Sequence, residues 1–253
     1  MQLPGPALKM QRALRHLEET RQQILEYLQS DPYQISVETD MSTSSYLVTA
    51  SHVPPPQRIA LSFGDFLHNL RSALDHLARI MVNENGGIPI DGPGGTTFPI
   101  LARAKPGIVD IKGGISMPRL EVLQRIQPHN LGSDYQQHPL WKLNELDNID
   151  KHRVLHVANL VGYSSVAFFP LESHDVAITP ETNRYSVSLH TTEPQRITVA
   201  KEDLHEAARA GGMHTTTVRL AEDEFCGGAH IWGLCDELYN YVRDEVLLPL
   251  VSA

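Results

Sequence analysis

Four ionisable residues crowd one stretch of the chain: His68, Arg71, Asp75 and His76 all fall within LHNLRSALDHLA (67–78). An imidazole can carry a proton near neutral pH, a guanidinium can stabilise developing negative charge, and a carboxylate can orient either. A second group lies in LWKLNELDNIDKHRVLH (140–156), with Glu145, Asp150, His152, Arg153 and His156. The chain holds 13 histidines in 253 residues, a large share, so whether any of them cluster becomes the first question.

Both groups need a scaffold, and the period of the apolar residues supplies it. Ile59, Phe63, Phe66, Leu67, Leu70, Leu74, Leu77 and Met81 recur every three or four residues, which predicts one long amphipathic helix over 56–83. At about 100° per residue, Gly64, His68, Arg71 and Asp75 share one flank of it, and Asp65, Asn69 and His76 the other. Arg71 and His76 then point about 140° apart. The plain reading pairs Arg71 with Asp75 at i,i+4 and leaves His76 at the surface.

A second helix is predicted from Pro139 to about Leu160. Asp150 and Arg153 fall in its apolar sector with Leu146, Ile149, Val157 and Leu160. Buried charges are costly unless paired, so these two are expected to pair with each other or with the central helix. Glu145, His152 and His156 lie together on the adjacent flank. Histidines at i,i+4 match a metal-ligand spacing, so a divalent metal such as zinc on Glu145, His152 and His156, completed by His76 or Asp75, is one reading. The HExxH pattern is absent, and a titrating helix flank is the other reading. His129 and His138 bracket a loop that could bring them near this group.

The rest of the chain frames these helices. Residues 7–29 predict a helix with Leu14, Leu17, Ile24, Leu25 and Leu28 on its apolar face. YQISVET and Tyr46 to Ala50 alternate as a hairpin. Residues 84–116 form a long loop rich in glycine, expected to cover the polar flank of the central helix. Its Gly92–Thr97 segment lacks the GK[ST] ending of a phosphate-binding loop. Met117–Ile126 predicts a short helix. SVAFFPL, DVAIT, YSVSLHT and RITVA predict an antiparallel meander, with a turn at Pro180 to Asn183. A helix is expected over Lys201–Ala210, stopped by Gly211-Gly212, then a strand at TTTVRL and a final helix from about Glu222 to Leu247. Helices at both ends with strands between predict an α+β fold: a helical bundle packed with an antiparallel sheet made of the N-terminal hairpin and the inserted meander. The expected organisation is a single domain over 1–253, with residues 163–220 as an alternative β-rich subdomain.

A net charge of -9 argues against a protein that coats nucleic acid broadly. No apolar run is long enough to span a bilayer, and the first residues lack a signal-peptide core. A cytoplasmic location with no membrane partner is therefore expected. Cys226 and Cys235 read as reduced, structural thiols.

LHNLRSALDHLA, the following FPI (98–100) and LWKLNELDNIDKHRVLH together resemble a widespread set of uncharacterised bacterial proteins that carry an LHNLRSALDH helix and an NIDKHR helix. That resemblance spans about two-thirds of the chain and implies that both polar groups serve one site or one structural lock. Arg71-Ser-Ala-Leu-Asp-His76 is also similar to the Arg-x4-6-His motif of the HEPN superfamily. The HEPN resemblance implies a homodimer acting on RNA or a nucleotide without a metal cofactor. His76 would then be the acid/base group and Arg71 the phosphate stabiliser.

Three readings stay open. One is a HEPN-like ribonuclease or nucleotide-acting enzyme. Another is a metal-dependent enzyme using His152, His156 and a carboxylate. The last is a non-catalytic module locked by Arg71, Asp75, Asp150 and Arg153. Across them the candidate site residues are Arg71, His76, His68, Asp75, Asp150 and His152. All three expect the two long helices to lie against each other.

Overall fold

Fifteen buried side chains and backbone positions line the central helix α2 (Gln57–Glu84), from Ile59 to Val82, and they cover more than half its circumference. A helix so enclosed must sit inside a bundle. A computed structural model describes the chain over residues 4–30, 32–103, 111–161, 163–170, 185–188, 195–206, 208–213, 216–221 and 224–253. The fold is α+β. The chain divides into two compact units, Met1–Gln23 with Gln57–Val157 and Leu220–Ala253, and Ile24–Pro56 with Ala158–Arg219.

The first unit is helical. Helix α1 (Pro4–Gln29) begins in it and continues into the second unit. Its buried stripe is Met10, Ala13, Leu17, Thr20, Ile24 and Tyr27, whereas Leu14 and Leu25, expected on the inner face, are exposed. Helix α3 (Met117–Arg125) has Pro118 in its first turn. A 3-10 segment, Pro128–Gln137, leads to α4 (Pro139–His152). The chain ends in α5 (Ile231–Asn240), a π-helical segment Tyr241–Leu247, and α6 (Leu248–Ser252).

The second unit carries the sheets. The hairpin β1 (Tyr33–Asp40) and β2 (Ser45–His52) joins β6 (Gln195–Thr198) in the order β1-β2-β6. A second sheet has the order β5-β4-β7, with β4 (Tyr163–Pro170), β5 (Tyr185–Ser188) and β7 (Ala208–Met213). The hairpin thus shares a sheet with one later strand, and the later strands do not form a simple meander. Tyr46, Val48, Phe168, Val199 and Ala208 form the core of this unit. The Tyr46 and Phe168 rings lie 4.2 Å apart, and the Tyr46 hydroxyl donates to Asp203 O at 2.6 Å, which satisfies a buried phenol. Strands β3 (Val157–Val161) and β8 (Thr216–Leu220) pair where the chain enters and leaves the unit.

Three expected boundaries move. Helix α4 stops at His152 rather than running to Leu160, because Arg153 takes an extended backbone (φ -160, ψ 154). The extended turn is held by Glu224, which accepts from Arg153 Nη2 at 2.8 Å and from the His156 backbone N–H at 2.7 Å. Among the described residues between Lys201 and Ala210 only Lys201–Asp203 is helical, and Gly211 and Gly212 lie inside β7 opposite Ala167 and Val166. Sheet pairing there overrides a weak local helical preference. The last helix starts at Ile231, after a turn in which Cys226 (φ 62) and Gly228 (φ 74) take left-handed backbone. The DVAIT segment, the Pro180–Asn183 turn and Glu222 lie outside the described residues. No described helix is long and apolar enough to cross a membrane.

Candidate functional site

Helices α2 and α4 pack antiparallel, since Gly64 meets Asp150 while His68, one turn on, meets Asp147. Gly64 makes this approach possible. A Cβ built there would lie 2.2 Å from Asp150 Oδ1 and 2.5 Å from its Cγ, so any side chain would drive the carboxylate out. His68 Nδ1 is 3.3 Å from Asp147 Oδ1. The Asp147 side chain is 1% exposed and that of His68 54%, so a buried carboxylate anchors an imidazole that faces outward. Lys151 Nζ, one turn along α4, lies 2.6 Å from Asp147 Oδ2 and balances its charge. That contact is an ion pair without hydrogen-bond alignment.

Asp150 has a different environment. Burial, followed by the like charges of Asp147 and Asp65, pushes its pKa above the usual carboxylate value, while His68 pulls the other way. Asp65 continues the polar band toward α1, with its Oδ2 3.9 Å from Nδ1 of His16. The His16 side chain is 9% exposed, and its Nδ1 lies 3.3 Å from Glu19 Oε2.

Further along the same flank of α2 the chemistry is closed rather than open. Arg71 Nη1 donates to Asp75 Oδ1 at 2.6 Å, and Arg71 Nη2 donates to Phe98 O at 3.1 Å. Asp75 Oδ1 accepts the Phe98 N–H at 2.9 Å. The pair therefore grips both backbone groups of one residue in the loop after α2, and the Phe98 side chain is 1% exposed. Thr96 Oγ1 accepts from Ile90 N and donates to Lys112 O, each at 2.8 Å, which knits the loop to itself.

The remaining sequence candidates are scattered. His76 is exposed and faces the start of α1, where a Cβ on Gly5 would lie 2.6 Å from its Nδ1. Arg71 and His76 therefore do not meet within one chain. His152 is exposed at the end of α4. His156 follows the helix instead of continuing it, so the i,i+4 geometry expected for His152 and His156 does not form. Glu145 accepts from Asn144 Nδ2 at 3.2 Å. Among the described residues no three His, Cys, Asp or Glu side chains gather as metal ligands. Arg153 pairs with Glu224 and not with Asp150. Burial opposes ionisation of Glu224, but the hydrogen bonds from Arg153 and the His156 N–H outweigh it and lower its pKa. The chain matches no protein-family model, no curated protein and no solved structure.

Sequence reasoning missed Asp147, Lys151, Glu224 and His16. For Asp147 a signal existed: it stands one turn before Asp150 and at i,i+4 from Lys151. Glu224 left no local trace, because its partners are about 70 residues away in sequence. His138 was singled out, but its partners are the α4 N-terminus and Tyr241 rather than the second cluster.

Proposed function

We propose that this protein is a metal-independent acid–base catalyst whose site is the seam where α2 meets α4 and whose proton-transfer group is His68. The observation that carries the reading is an outward-facing imidazole tied to a fully buried carboxylate. With the Asp147 carboxylate as acceptor, the hydrogen sits on His68 Nδ1 and Nε2 keeps its lone pair as a base. Asp150, whose pKa is held above the usual carboxylate value by burial and by the neighbouring acids, is the complementary acid. Acidic side chains outnumber basic ones around the site, with Asp65, Asp147 and Asp150 against Lys151, which disfavours a polyanionic substrate. Arg71 and Asp75 act as the lock that holds Phe98 against α2.

The HEPN resemblance supplies a second reading, a homodimeric ribonuclease or nucleotide-acting enzyme using Arg71 and His76. What favours it is the exposure of His76 on α2. It requires Arg71 to release Phe98 and a second chain to complete the site.

Two measurements separate these. Protein stripped of divalent metal is assayed on short RNA, cyclic nucleotides, and neutral and cationic esters and amides. His68→Asn is expected to lower turnover by about 10²–10⁴-fold, and His76→Ala to leave it unchanged. The reverse pattern assigns the chemistry to Arg71 and His76, and loss on chelation restored by zinc assigns it to a metal. Independently of substrate, nitrogen-15 NMR is expected to find His68 protonated on Nδ1, with that preference lost in Asp147→Asn. A wild-type His68 with mixed tautomers removes the orienting role of Asp147.

A further inference from the structure

His138, at the start of α4 and away from the α2–α4 site, is buried, as is His16. Its residue is 7% exposed. Nδ1 accepts the Leu140 N–H at 3.2 Å, which makes the ring the N-cap of α4. Nε2 lies 3.1 Å from the Tyr241 hydroxyl, and the two rings meet edge to face with centroids 5.2 Å apart. Because Nδ1 must offer a lone pair to Leu140, the neutral ring carries its hydrogen on Nε2 and donates it to Tyr241.

Tyr241 is the first residue of the π-helical segment Tyr241–Leu247. A π segment widens a helix and re-aims its side chains, and such segments are rare because their geometry is costly. Here one opens at the residue that reaches His138. The ring thus ties together two elements with its two nitrogens, the α4 N-terminus and the C-terminal helix.

We propose that His138 is a proton-operated latch, closed while the ring is neutral and released in acid. Protonation places a hydrogen on Nδ1, directly against the Leu140 N–H, so the cap turns from acceptor to donor and repels. Burial and one nearby cation oppose that protonation while the latch is shut. Lys142, in the first turn of α4, is the nearby cation, and from the π segment the Tyr241 hydroxyl faces the ring. Glu245 opposes and Arg125 favours ionisation of Tyr241. Burial first, then Lys142, lowers the ring's pKa from 6.5 to about 4. The latch stands whether or not the α2–α4 seam is catalytic.

The test is amide hydrogen exchange on the full chain by NMR, corrected for the intrinsic pH dependence. Opening at Leu140 is expected to rise about tenfold per pH unit between the open-state pKa of 6.5 and the closed-state value of about 4. Core amides of α2 such as Leu70 are expected to stay protected over that range. His138→Asn keeps an acceptor for Leu140 but cannot titrate, so its Leu140 amide is expected to show no such slope. If Leu140 stays protected while the His138 ring nitrogens titrate, the latch is disproved. It is equally disproved if His138→Asn keeps the wild-type slope, or if Leu140 and Leu70 lose protection together. Should the variant not fold, the wild-type comparison of Leu140 with Leu70 decides alone.

Discussion

At the scale of single residues, buried ionisable groups set how the protein responds to pH. His138 has a folded-state pKa of about 4 against 6.5 in the unfolded chain. The unfolded state therefore binds a proton first, and the stabilisation from the neutral ring is complete above pH 6.5 and is lost as pH falls to about 4. Integrated over that window the loss is about 3 kcal/mol. Urea denaturation from pH 7 to pH 4 is expected to show this loss, and His138→Asn to remove most of it. Asp150 behaves with the opposite sign. Its pKa is raised on folding, so its ionised form opposes folding at neutral pH and its protonated form does not. Asp150→Asn is accordingly expected to gain stability relative to wild type at pH 7 and to lose that advantage at pH 3, again by denaturation midpoints. A wild-type advantage at pH 7 would mean that Asp150 has a cationic or donor partner.

At the scale of elements, two polar contacts help to fix α2 against its neighbours. Gly64 admits Asp150, so Gly64→Ala is expected to destabilise by about 1–3 kcal/mol through forced displacement of the carboxylate. Shortening the obstacle with Asp150→Ala is expected to rescue most of that loss in the double variant, a coupling that a double-mutant cycle measures. The Arg71–Asp75 clamp is the other contact. Asp75→Ala strands the Phe98 N–H and is expected to cost about 1–3 kcal/mol, with faster hydrogen exchange over residues 96–101. A catalytic Arg71 with no structural duty predicts instead that Arg71→Ala leaves the melting temperature unchanged. The clamp also explains the FPI segment: Phe98 is buried because two side chains one turn apart on α2 hold its backbone in place. Local periodicity located α2 well because its apolar stripe is long and buried through nearly its whole length. It overran α4, since the end of that helix is set by the Arg153–Glu224 pair and not by the residues within the helix.

At the scale of the whole molecule, the charge balance bears on partners. A net charge of -9 opposes association with a polyanion over distances of about a Debye length. Single-stranded RNA of mixed sequence is expected not to be retained in filter binding at about 0.15 M salt. Retention with a steep salt dependence would favour the ribonuclease reading and a local cationic surface.

The α+β class, the span of α2 and the N-terminal hairpin were legible in the one-dimensional pattern, because each depends on short-range periods of apolar residues, whereas the early end of α4 and the strand that begins at Ala208 were not. The i,i+4 pairing of Arg71 with Asp75 was legible for the same reason. Which ionisable groups face each other was not. Asp147 against His68, Asp150 against Gly64, Glu224 against Arg153 and His138 against Tyr241 join residues tens to more than a hundred positions apart. Such contacts are chosen by how helices cross and where they end, and that choice minimises the burial of unpaired charge over the folded unit as a whole.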